Sequence, residues 1–446
     1  MGLVSTLIGC LTVTMAGAAS PAVDQGLLIV APAKLVGSLQ DFAAFKRNSL
    51  PTRVVSLETT LKSPGYDDPE KLKHYLFNAW KKEHMGYVLL VGDGDIMPMR
   101  YMTLDRVTPA AFDTAFYPSD MYYADLAKQE GTFEDWNGNK ASFHSGYFGE
   151  VHGEKNKGDV INFDGIDYRP EIAVGRWPVD SPEEVAIVTQ KTMRYEKSLA
   201  SGTKHGSRTA SLFAVGGWID SRPTMTSYAS TLKGWNVDLH LYGSRNNRPD
   251  ESELDRVLNE GVGLICHAGH GSDNTWEGCF VRANLSRVNN ADRLPVMISV
   301  GCSTARFAVL PPYEPYIDVS GNEHRGSDNG ELFNSPPPPP SPYQTGKFRR
   351  TGLGTQLVCG SASGAVAYIG CNTGSQPCAL TLQTGFVESV SKGGRRLGDC
   401  WNDAIRFYYD HEHLDTLKPN LDWYPPSIFF QSMKYMVFGD PSIKLP

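Results

Sequence analysis

A chain of 446 residues with 41% hydrophobic and 20% charged side chains has the composition of a globular protein with two or three core-bearing units, which excludes disorder for its bulk. Its formal net charge of −7 at pH 7 argues against nucleic acid or an anionic membrane as partner, since either would need a basic patch to neutralise. Eight cysteines with no paired C-x-x-C spacing are too few for a disulfide scaffold and do not form a zinc site of that pattern.

Residues 1–20 are apolar, rich in small side chains and without charge, and Ala16-Gly17-Ala18 offers a signal-peptidase site before Ala19. They read as a leader, which addresses the chain to the outside: secreted, periplasmic or at the cell surface. Leu7-Ile8-Gly9-Cys10 has the look of a lipoprotein cleavage box, and a start placed upstream of the first strand is the plainer alternative. Nothing after Ser20 has the length and apolarity of a transmembrane helix, so a soluble monomer is expected.

From Gly26 the pattern alternates short apolar runs with helical periods. Strands are expected at 27–31, 52–57 and 86–91, and helices at 34–47 and 68–82. Regularity lapses between Asp113 and Asp167, where Asp135-Trp136-Asn137-Gly138-Asn139 and the run from Asp159 to Asp167 are rich in oxygen donors suited to Ca²⁺ and equally in turn formers. A helix from Glu183 to Leu199 opens on Asp180-Ser181-Pro182, with the proline early and acids in the first turn. The break at Ala200-Ser201-Gly202-Thr203 divides an α/β unit at 24–200 from a second at 205–446, which starts with a strand at 208–215.

Two apolar runs of the second unit carry the chemistry. Val262 to Ala268 ends at Gly269-His270-Gly271, and Leu294 to Val300 ends at Gly301-Cys302-Ser303. Such runs are buried strands of a parallel sheet, and groups just beyond their carboxyl ends share a crevice if the strands are neighbours. An imidazole within reach of a thiol lowers its pKa or takes its proton, making His270 the base and Cys302 the nucleophile. The N–H groups of Gly271 and Cys302 are candidates for an oxyanion hole, because glycine lets backbone approach a substrate closely. Taken alone, the pair also fits a loop histidine and a core thiol, and the segments around it decide.

After the nucleophile, residues 311–350 form an insertion with a run of five prolines, Pro336 to Pro340, which favours an extended polyproline form outside any sheet. The insertion reads as a substrate-side wall of the crevice or as an unstructured surface loop, and Lys347-Phe348-Arg349-Arg350 as a processing site. Cys371 and Cys378 flank a turn and would bridge in an oxidising compartment, whereas Cys266, Cys279 and Cys359 read as core or loop thiols. Cys400 falls in an amphipathic helix from Leu397 to Tyr409.

The order of Gly26 to Pro32, Tyr87 to Pro98, Asp120 to Asp125, Glu171 to Val179, Gly269-His270-Gly271-Ser272, Gly301-Cys302, Gly364 to Gly370 and Val437 to Ser442 resembles the gingipain-like cysteine peptidases, family C25. The resemblance implies a caspase-like α/β fold of two subdomains with mostly parallel sheets flanked by helices, the first a non-catalytic partner and the second catalytic. It implies a cysteine endopeptidase acting on protein or peptide through a Cys302 acyl-enzyme with His270 as base and acid, structural Ca²⁺ and no organic cofactor. A sortase-like transpeptidase and a catalytically inactive binding scaffold are the alternatives. The pattern departs from the family at Val215, where the carboxylate that orients the histidine would stand, leaving Asp220 as the candidate for that role or for an acid in the S1 pocket. The lysine-specific type carries its acid near Cys371 to Pro377, where this chain has none, and the arginine-specific type at a position closer to Thr226.

Overall fold

The computed structural model describes residues 25–104, 116–136, 147–150, 165–201, 208–243, 249–326, 337–348, 352–418 and 424–446. Ten strands build the main sheet: β1 (Gly26–Ala31), β2 (Thr52–Ser56), β3 (Met85–Val91), β4 (Ala173–Trp177) and β5 (Thr209–Gly216), then β6 (Asn236–Leu241), β7 (Leu264–Gly269), β8 (Val296–Ser299), β9 (Ala367–Cys371) and β10 (Tyr435–Phe438). Their spatial order is β2-β1-β3-β4-β10-β9-β8-β7-β5-β6. Every pairing is parallel except that of β10 with β9.

The two sheets expected from the sequence are therefore halves of one. The C-terminal strand β10 enters the seam antiparallel to β9, with Tyr368 opposite Phe438, and touches β4 in parallel through Phe438 and Arg176. Gly175 lets this join close, because a Cβ there would lie 2.2 Å from the Gly439 carbonyl oxygen.

The inner strands are apolar on both faces because both faces are covered, whereas the edge strands β2 and β6 are only partly buried. In β1, Leu28 and Val30 enter one core while Leu27, Ile29 and Ala31 enter the other. The first core packs α1 (Asp68–Glu83), the second α2 (Pro182–Ala200), and α3 (Arg222–Thr231) returns to the first. Next, α4 (Glu251–Glu260) and α5 (Leu353–Cys359) cover the second face, and α6 (Ala379–Ser391) and α7 (Leu397–His411) the first. Three of these helices open on side-chain caps. Asp67 and Ser181 accept from the Glu70 and Glu184 N–H groups with proline in the first turn, and Asp250 with Glu253 forms a capping box.

Three expectations change. The helix expected at 34–47 is split into Ala33–Val36, a 3₁₀ turn Gly37–Leu39 and Gln40–Lys46, with the split at Gly37-Ser38, both poor interior helix formers. Cys371 and Cys378 keep separate thiols in the apolar core, with no disulfide between them. The described part of the 311–350 insertion is ordered. Its hairpin Tyr316–Ile317 and Glu323–His324 meets Pro340 through Asp318, and Tyr316 and Tyr147 hydroxyls donate to the Pro338 and Pro337 carbonyls.

That segment binds the first unit, with Gln344 N–H donating to Gly94 O, Met99 N–H to Pro342 O and the Tyr343 hydroxyl to Asp68. Lys347 is paired with Glu323 at 3.1 Å, while Arg349 and Arg350 lie outside the described residues, as do 1–20 and most of both oxygen-rich clusters. Among the described residues no three His, Cys, Asp or Glu side chains converge as a metal site. The buried Lys73 ammonium lies 4.5 Å from the Tyr122 ring centre, and burial brings it down to about 8 against the opposing pull of Asp125 and Glu134. No described helix is long and apolar enough to cross a membrane.

Candidate active site

Strands β7 and β8 are neighbours in parallel register, Leu264 opposite Val296 and His267 opposite Ser299, so their carboxyl ends open at the same height. His270 follows the first and Cys302 the second, and both line one cleft of about 60 Å³. On the far side of β7, the end of β5 runs on as Gly217 to Ser221, with His270 N–H donating to the Gly216 carbonyl at 3.3 Å. Gly269 has to be glycine here, since a Cβ would lie 2.3 Å from Val215 Cγ2 and 2.6 Å from Gly216 O.

Cys302 is half-buried on a sharp turn. Ser303 takes φ 56°, the left-handed region that a non-glycine residue adopts at a cost, and its N–H donates to Thr373 O at 2.8 Å. The loop after β9 reaches the nucleophile directly. The thiol donates to the Ser375 carbonyl at 3.5 Å, and the Ser375 N–H points at Sγ from 3.3 Å. A donor aimed at sulfur favours the thiolate over the thiol.

Gly271 packs against the same turn. A Cβ on it would lie 3.2 Å from the Cys302 carbonyl oxygen, 3.3 Å from Gly301 Cα and 2.6 Å from Thr304 Cγ2. Beneath the turn lies a polar knot, in which Ser299 Oγ meets His267 Nδ1 at 2.8 Å and accepts from Gly301 N–H at 3.2 Å and from the Thr304 hydroxyl at 3.3 Å. His267 is stacked on Trp276, ring centres 4.2 Å apart, and burial pulls its pKa down to about 3, so it is neutral at working pH.

Asp220 is placed elsewhere. Its carboxylate is clamped by Arg222, Nε to Oδ1 and Nη2 to Oδ2 both at 2.8 Å, with the Tyr242 hydroxyl at 3.3 Å. These donors hold its carboxyl well below the usual range, and it does not line the cleft. Asp220 is thus committed to a local ion pair and gives His270 no carboxylate partner. Val215, at the position matching the family's acid, is a buried core residue.

Four contributors escape a reading of the chain. Ser375 lies far along the sequence, although its turn follows a strand next to β8 and the rule that led to Cys302 would have found it. Trp218, 56% exposed, stands edge-on to His270 at 6.3 Å, and Ile219, 43% exposed, follows it. His267 reads from the sequence as one more residue of an apolar strand. The described part of the 311–350 insertion does not line the cleft.

The profile of peptidase family C25 matches residues 20–446. The chain is 21% identical over 299 residues to gingipain R2 of Porphyromonas gingivalis, a match covering 64% of this chain and 33% of that protein. Gingipain R1 of the same organism is also 21% identical, with 64% of this chain and 24% of the relative covered. The chain thus spans about a third or less of these curated relatives. Among solved structures, that of the Arg-specific cysteine proteinase gingipain R superposes with a TM-score of 0.61 at 16% identity, covering 95% of this chain and 78% of that one. A complex of the pro- and mature domains of the same Porphyromonas gingivalis proteinase gives 0.61 at 17% identity, covering 94% and 79%.

Proposed function

The chain belongs to peptidase family C25, and on that premise we propose that it is a cysteine endopeptidase with Cys302 as nucleophile and His270 as its proton acceptor. The observation that carries this reading is the matched register of β7 and β8, which delivers both residues to one cleft from adjacent strand ends.

In the reaction, His270 takes the Cys302 proton and the thiolate, favoured by the Ser375 N–H, attacks the scissile carbonyl carbon. The negative oxygen of the tetrahedral intermediate is held by the Gly271 and Cys302 N–H groups. The imidazolium returns its proton to the leaving amine as the C–N bond breaks, giving a thioester. Water, deprotonated by His270, then hydrolyses the thioester and restores the thiol. The imidazole works as a dyad partner, oriented by backbone and by the Trp218 edge. Substrates are proteins or peptides reached outside the cell, by way of the leader expected at 1–20.

The test is turnover of fluorogenic peptides varied at P1, under reducing conditions, by the purified chain and by Cys302→Ala and His270→Ala. Cys302→Ala is expected to lower kcat by at least about 10³-fold, and His270→Ala by about 10²–10⁴-fold. Turnover that survives Cys302→Ala would remove the proposal. A ligated product in place of the free acid, on adding an amine nucleophile, would convert it to a transpeptidase.

A further inference from the structure

We propose that the cleft beside Cys302 is an S1 pocket for small uncharged aliphatic side chains, so that this chain cleaves after alanine, valine or leucine and not after arginine or lysine. The inference rests on the peptidase reading and adds to it the class of substrate.

The cleft borders both reacting residues. Once the scissile carbon is at Sγ, the side chain next to it is the substituent within reach of this cavity. Its apolar lining comes from Trp218, Ile219, Ala268, Val300, Pro377 and Leu380. Among the described residues the remaining side chains, apart from the reacting pair, are Ser221, Ser375 and Gln376, with two glycines, so none of them is a carboxylate. The nearest acid in sequence, Asp220, brings its own counter-ion in Arg222 at 2.8 Å and presents no net charge to a cationic substrate.

Charge and size then decide together. A guanidinium or ammonium entering this wall gives up water without an anion to replace it, which is unfavourable unless the charge is paired. An aliphatic side chain gains from the same wall through burial. The cavity is small, about 60 Å³, and so favours the smaller side chains. Gln376 is the buried residue whose replacement would test the charge argument most directly, since Gln376→Glu changes an amide to a carboxylate of the same length.

The experiment compares two matched series that differ only at P1: fluorogenic peptides carrying Ala, Val, Leu, Phe, Arg or Lys, and peptidyl chloromethyl ketones carrying Leu or Lys. The second is read as the rate of Cys302 alkylation by mass spectrometry. The expected result is kcat/KM at least about 100-fold higher for the best aliphatic P1 than for Arg or Lys, with the Leu ketone alkylating Cys302 faster by a similar factor. In Gln376→Glu the ratio of Arg to Leu turnover should rise at least tenfold. Turnover preferring Arg or Lys overturns the pocket and leaves the peptidase standing. Absent turnover with faster alkylation by the Leu ketone supports the pocket and removes hydrolysis. Equal alkylation by both ketones, or none by either, overturns the pocket.

Discussion

Gly271 presses on the nucleophile turn more closely than any side chain could. The nearest obstacle to a Cβ is Thr304 Cγ2 at 2.6 Å, with Cys302 O and Gly301 Cα behind it at 3.2 and 3.3 Å. Overpacking of this kind costs about 1–3 kcal/mol when neighbours must shift, and here the shift falls on the residues that place Sγ. Gly271→Ala is therefore expected to lower kcat/KM by more than tenfold while the protein stays folded. Thr304→Ser keeps the hydroxyl that donates to Ser299 and removes the methyl in the way. The double variant should recover a large part of the loss, a coupling that a double-mutant cycle on kcat/KM reads directly. Additive losses would mean that the Cβ acts against the backbone instead.

Between β7 and β8 the coupling runs through His267, whose ring meets Ser299 on the next strand and stacks on Trp276. Burial lowers its pKa from an ordinary 6.5 to about 3. In the unfolded chain it takes a proton as pH falls through 6.5, and in the folded chain it refuses one until about 3. The stability this group contributes is complete above pH 6.5 and drains away as pH falls toward 3. The loss at pH 4 is on the order of a few kcal/mol. His267→Phe keeps an aromatic ring for the stack and removes the titration, so its Tm should fall less between pH 6.5 and 4 than that of the parent. Parallel Tm profiles would show that His267 does not carry the acid sensitivity. The same strands show what the sequence could tell. Continuous apolar runs such as Leu264 to Ala268 are buried on both faces and announce themselves, as do α1 and α2 with their proline and acid caps. His267 was hidden because its partner depends on strand register, which is a property of two segments. Ser375 lies within reach of the strand-end rule, since its turn follows a strand beside β8, and Asp220 shows the opposite case, an acid that Arg222, two positions on, satisfies locally.

Across the molecule, β10 is what makes one sheet of two halves, and no local pattern in Tyr435 to Phe438 says that it will lie at the seam. The turn after it is fastened by charge. Asp440 accepts from the Ser442 N–H and hydroxyl at 2.8 and 2.7 Å through one oxygen, and its other oxygen meets the Lys46 ammonium at 2.9 Å. Lys46 also holds Glu196 of α2 at 2.7 Å, so two helices of the second core, Gln40–Lys46 and α2, meet the C-terminal turn at one buried cation. Removing that cation leaves two carboxylates facing each other out of water, and breaking a buried pair in this way costs about 3–5 kcal/mol. Lys46→Met should lower the denaturation midpoint accordingly, with Asp440→Asn milder because Glu196 still pairs the ammonium. If the sheet is a single cooperative unit, peptidase activity and sheet structure should be lost together in both variants, although Lys46 and Asp440 lie outside the cleft. Activity that outlasts a first unfolding step would show instead that the catalytic strands stand without the seam.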